Sequence, residues 1–171
     1  MLSKPRVYIE TSVISYLTSR PSSNEGVRGC QYFTRYWWEN FAEQQFELVS
    51  SPIVQQEVSL GDKAASQKRL DVLKKLTLLD APKEILDSFS DDLINAGALP
   101  LKARVDSFHI AITAINGVQY LATWNFKHIA NINKIPLIQQ VCRKAGYQPP
   151  ILCTPQQLLM EDFQHVERSN Y

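Results

Sequence analysis

Two kinds of hydrophobic spacing alternate along the chain. Between 103 and 115, Val105, Phe108, Ile112 and Ile115 recur at three- and four-residue steps, which predicts a helix with one buried face. Asp106, His109 and Thr113 line the adjoining face. After Gly117 the spacing changes to an unbroken apolar run, Val118 to Thr123, as expected for a strand buried on both faces of a parallel sheet. That run ends at Thr123, Trp124 and Asn125. Arg6 to Ile9 reads in the same way and ends at Glu10, followed by Thr11 and Ser12, either of which can cap a helix through Val13 to Leu17. Phe46 to Val49 is a further strand pattern, after which Ser51 and Pro52 open a helix carrying Glu57.

Gly26 to Gln45 is helical in pattern, with Phe33, Trp37 and Phe41 on one stripe and Tyr32 and Tyr36 beside it. Core packing accounts for that stripe, although aromatic residues also favour protein interfaces. Ala64 to Lys75 and Lys83 to Ala96 are helical patterns, separated by the apolar stretch Leu76 to Leu79 and Pro82. Ile151 to Cys153 is a short strand, and Thr154, Pro155 and Gln157 form a capping-box start for a last helix. Short strands alternating with helices predict an α/β fold with a mostly parallel sheet. No repeat or linker divides the chain. One domain is expected over 1–163, with a polar tail over 164–171 on which His165 is exposed.

Composition narrows the function classes. A length of 171 residues with 44% hydrophobic content suits one globular core. The net charge of +1 gives no global nucleic-acid signature, so such contact would need a local patch. Lys63, Lys68, Arg69, Lys74 and Lys75 form one cluster, read first as a solvated helix face. Cys30, Cys142 and Cys153 are odd in number and lack metal-ligand spacing, which argues against a disulfide framework and against a zinc site. There is no signal-peptide core and no apolar run long enough to span a membrane, so a cytoplasmic protein is expected.

The chemistry points to oxygen ligands. Glu10, Glu57 and Asp106, with Asn125, offer hard donors that suit Mg²⁺ or Mn²⁺. Carboxylates brought together raise one another's pKa unless a cation is present, so their convergence would itself imply a metal. Such a site would suit phosphodiester hydrolysis through a metal-activated water. No glycine-rich phosphate loop and no nucleophilic triad is present.

Tyr8-Ile9-Glu10-Thr11-Ser12, Ser51-Pro52 with Glu57, the run Lys102 to Ala111 through Asp106 and His109, Thr123-Trp124-Asn125-Phe126-Lys127-His128, and Thr154-Pro155 together resemble the PIN-domain nucleases, and within them the VapC-like toxin branch. The resemblance covers almost the whole chain. It implies a three-layer α/β/α fold with a central parallel sheet. It also implies an endoribonuclease dependent on Mg²⁺ or Mn²⁺, with Glu10, Glu57 and Asp106 as metal-binding acids and Asn125 at the fourth acidic position. RNA would be the substrate. An antitoxin protein and a second copy in a homodimer would be the partners. Two departures stand out: Glu10 occupies a position commonly held by Asp and is longer by one methylene, which changes the metal spacing, and Asn125 can coordinate through its amide oxygen but lacks the charge of the usual acid, which predicts weaker metal binding.

Around these acids, Thr11 and Ser12 are placed to bond a metal ligand or a phosphate, with helix capping as the plain alternative. Arg104, Lys102 and Lys127 are candidate phosphate contacts. His109 and His128 read either as orienting groups or as satisfied core side chains. The rival reading of the whole is a catalytically weak or inactive PIN-like module that binds RNA or protein.

Overall fold

A computed structural model describes residues 3–159; the expected tail over 164–171, with His165, lies outside them. Five strands form one sheet: β1 (Arg6–Ile9), β2 (Glu47–Ser50), β3 (Thr77–Leu78), β4 (Tyr120–Ala122) and β5 (Ile151–Cys153). Their spatial order is β3-β2-β1-β4-β5, and every pairing is parallel. Helices cover the sheet in a three-layer α/β/α arrangement. They are α1 (Thr11–Thr18), α2 (Glu25–Trp37), α3 (Glu43–Gln45), α4 (Pro52–Val58), α5 (Lys63–Leu73), α6 (Lys83–Asn95), α7 (Arg104–Ile115) and α8 (Ile135–Lys144).

Parallel strands with helices on both sides are buried on both faces, which is why they read as apolar runs and not as alternating patterns. Val7, Tyr8, Ile9, Val49, Leu121 and Ala122 are all fully buried. Each of the valine, isoleucine and leucine side chains among them contributes about 1.5–3 kcal/mol of burial to the fold. Gly117 makes the tight turn from α7 into β4 with φ of 61°, a left-handed conformation that glycine adopts without steric cost.

Several local expectations meet a different arrangement. The N-cap of α1 is Glu10 itself, whose side chain accepts the Ser12 amide hydrogen, and neither Thr11 nor Ser12 fills that position. Val105, expected on the buried face of α7, is 45% exposed, while every residue from His109 to Ala114 is buried. The helix is enclosed nearly all round at its centre, so one-faced spacing does not describe it. In the aromatic stretch, Trp37 is fully buried but Tyr32 and Tyr36 stay exposed, and a π-helical turn (Trp38–Ala42) interrupts the helix. Helix α8 is not among the expected elements, although Pro136 at its start and Ile138, Val141 and Cys142 on one face carry the signal. Thr154 and Gln157 do form the reciprocal capping box, with Gln157 N donating to Thr154 Oγ1 at 3.2 Å and Thr154 N to Gln157 Oε1 at 2.9 Å.

Candidate metal centre

The sheet order reverses at β1. From there the chain builds outward to β2 and β3 on one side and to β4 and β5 on the other. In such sheets the crevice opens beyond the carboxyl ends of the strands that flank the reversal, here β1 and β4. Glu10 follows β1 and Thr123 follows β4, and the Glu10 amide continues the ladder by donating to Ala122 O at 3.2 Å.

Glu10 is 5% exposed and firmly held. Its Oε2 accepts from Thr123 Oγ1 at 2.7 Å, from the Ser12 amide at 3.1 Å and from the Ser12 hydroxyl. Ser12 Oγ in turn accepts from the Trp124 amide at 2.8 Å, so α1 and the end of β4 are tied through one hydroxyl. All three bonds fall on one oxygen. Among the described residues the only buried side-chain nitrogen or oxygen without a partner is Trp37 Nε1, so Glu10 Oε1, which takes no hydrogen bond, reaches solvent.

Glu57 arrives from α4, which begins where Ser51 caps the helix and Pro52 occupies its first turn. Its Oε1 accepts from Thr11 Oγ1 at 2.6 Å and lies 2.8 Å from His109 Nε2. On the other side of the imidazole ring, His109 Nδ1 lies 2.8 Å from the Tyr8 hydroxyl, which is itself 2.6 Å from Ser51 Oγ. A chain of hydrogen bonds thus runs from α4 through β1 and α7 back to α4. One ligand atom each from Glu10, Glu57 and His109 lies within 4.8 Å of the other two, the sole such group of His, Cys, Asp or Glu among the described residues.

Electrostatics within this group are coupled. Burial by itself would raise the Glu57 carboxyl, but hydrogen bonds from His109 and Thr11 and the His109 charge together hold it below the usual carboxylate range. Burial would likewise lower His109; its bond to Glu57 and the charges of Glu10, Glu57 and Asp106 outweigh that and raise it. Burial, opposed by the Ser51 hydrogen bond, raises the Tyr8 hydroxyl far above its ordinary value, so Tyr8 stays neutral.

The remaining expected residues lie around this core. Asp106, one turn before His109 on α7, is not in the three-residue group; its Oδ2 sits 2.7 Å from His128 Nδ1. Asn125 serves its local turn, with Oδ1 accepting the His128 amide at 3.0 Å and its own amide donating to Thr123 Oγ1 at 3.0 Å. Thr11 and Ser12 bond the two glutamates directly. Arg104 turns to the α6 side, pairing with Asp91 at 2.6 Å, while Lys102 and Lys127 are exposed. The lysines of the α5 cluster are likewise exposed, and its arginine, Arg69, donates to Val58 O and Leu60 O.

The donor set can hold a divalent cation through its carboxylates, each of which has an oxygen outside its internal bonds. Both ring nitrogens of His109 are engaged, by Tyr8 and by Glu57, so the imidazole would join as a ligand only by giving up its Glu57 bond. Spacing alone leaves His109 as an orienting or core residue and gives Tyr8 and Thr123 no role. The available signals were a tyrosine hydroxyl inside an aliphatic strand, which needs a buried partner, and a histidine three residues after an acid on a helix. Comparison with known proteins gives no matching family model, no matching curated protein and no matching solved structure.

Proposed function

We propose that this chain is a metal-dependent endoribonuclease centred on Glu10, Glu57 and His109. One observation carries the reading: two carboxylates and an imidazole converge within 4.8 Å at the reversal point of a parallel sheet. Among the described residues no lysine or arginine forms an ion pair with Glu10 or Glu57, and paired carboxylates in such a place favour a cation. Bound there, Mn²⁺ or Mg²⁺ would supply an activated water and offset charge on the phosphate.

The protein's own contribution is orientation. Thr123 and Ser12 fix one oxygen of Glu10 and leave the other facing solvent. His109 and Thr11 do the same for Glu57 and keep it ionised. Asp106, whose charge is felt at His109, borders the centre and adds negative field without entering the trio. RNA as substrate, an antitoxin and a second copy as partners, and a toxin role all rest on the sequence resemblance.

A second reading has its own support. His109 Nε2 already bonds Glu57, Asp106 already pairs with His128, and the Asn125 amide oxygen already caps a turn. Internal satisfaction of this kind suits a module that binds RNA or protein without catalysis. Incubating the purified chain with a mixed RNA pool in Mn²⁺, Mg²⁺ or EDTA, beside Glu10→Gln and Asp106→Asn, separates the two. Cleavage that needs metal and is lost in Glu10→Gln supports the nuclease. Absence of both cleavage and calorimetric Mn²⁺ binding supports the module.

A further inference from the structure

A groove of about 780 Å³ opens between α4, α6 and α7, and Glu57 forms part of its wall. It therefore borders the candidate centre at Glu57. Ile53, Leu86, Val105 and Phe108 supply apolar surface, and Val105 remains 45% exposed there. The polar lining is unbalanced. Besides Glu57 it includes Asp80 and Asp87, and the one cation among the described residues that line it, Lys83, is engaged by Asp87 at 2.8 Å.

Away from a cation at Glu57, such a lining repels phosphate and attracts N–H donors. Asp80 is oriented in advance: its Oδ1 accepts the Ala81 amide at 2.8 Å and its main-chain oxygen accepts from Asn116 Nδ2 at 3.2 Å. We propose that the groove is a nucleobase subsite and that Asp80 selects guanine. The occupant rests on the nuclease reading, in which a single strand with its phosphate at a cation held by Glu57 can place its neighbouring base in the adjoining concavity. Unstacked bases are typically held against aromatic and apolar side chains and read along their edges by hydrogen bonds. Phe108 and Val105 offer the apolar wall. Guanine alone among the common bases presents two adjacent N–H donors, N1–H and the 2-amino group, to one carboxylate. Uracil presents a single N–H between two carbonyl oxygens, which the acidic lining disfavours.

Guanosine, inosine and uridine test this without phosphate or metal, by following the backbone amides of Val105 and Phe108 in NMR titrations of the full chain. Guanosine should shift those amides and bind about tenfold tighter than uridine, in line with the worth of a bidentate base contact, with inosine between them. Asp80→Asn, which keeps an acceptor for the Ala81 amide, should abolish that difference and leave Mn²⁺ binding unchanged. Val105→Glu should weaken all three nucleosides. Equal binding of guanosine and uridine, shifts outside the groove, or an unchanged preference in Asp80→Asn overturns the subsite. So does a cationic amphipathic peptide that moves these amides when no nucleoside does, because it assigns the groove to a protein partner. Guanosine bound in the groove by a chain that cuts no RNA upholds the subsite and refutes the nuclease reading. RNA cleavage without base preference does the reverse.

Discussion

His109 Nε2 lies 2.8 Å from Glu57 Oε1, with the imidazole wholly buried and the carboxylate 31% exposed. The pair therefore titrates across an interior boundary, and the sign of its effect on stability follows from the two shifts. Glu57 is lowered from about 4.5, so its contribution is complete above that value and is lost as pH falls through the folded-state pKa. His109 is raised from about 6.5, so its contribution is complete below that value and is lost as pH rises through the folded-state pKa. The two are both present between about 4.5 and 6.5. The difference in Tm between wild type and His109→Gln, measured in EDTA over a pH series, should peak in that interval; a flat difference would refute the coupling.

Tyr8 supports the same imidazole from behind. Tyr8→Phe removes the hydroxyl that joins His109 Nδ1 to Ser51 Oγ and leaves both buried partners short of a bond. The expected cost is about 1–3 kcal/mol, read as a lower urea midpoint with an unchanged slope. A stability equal to wild type would show that the network carries no net energy.

Thr123 positions Glu10 from across the strand reversal. Thr123→Val keeps the side-chain shape and deletes the hydroxyl that donates to Glu10 Oε2 and accepts from the Asn125 amide. Mn²⁺ affinity measured by calorimetry should fall about 10- to 100-fold, the usual range for groups that orient a metal ligand. Circular dichroism should be unchanged. An undiminished affinity would remove Glu10 from the binding set.

The thiols report the core independently of any function. Cys142 and Cys153 are buried, Cys30 is partly buried, and none forms a disulfide. Burial pushes the Cys142 thiol up to about 11 and also raises Cys30. An aromatic disulfide reagent at neutral pH should label Cys30 slowly and reach Cys142 and Cys153 only after unfolding. Rapid labelling of Cys142 in the native protein would contradict its packing in α8.

What the sequence determined by itself is short-range. Apolar runs located β1, β2, β4 and β5 to within a residue or two, and Ser51 with Pro52, and Thr154 with Gln157, marked helix starts correctly, because caps and periodicity act over about four residues. Asn125, expected at the fourth acidic position, caps a turn three residues long, an act that is equally local. Pairing of Glu10 with Thr123 spans 113 positions, of Tyr8 with His109 101, and of Glu57 with His109 52. No spacing rule reaches that far. Only the strand order β3-β2-β1-β4-β5 sets β1 against β4 and brings α4 and α7 to their ends, and that order comes from packing the whole chain around one core. The acids were visible as residue types. That His109 joins Glu10 and Glu57, while Asp106 turns to His128, was decided by tertiary structure alone, because a side chain's partner depends on which elements the sheet makes neighbours.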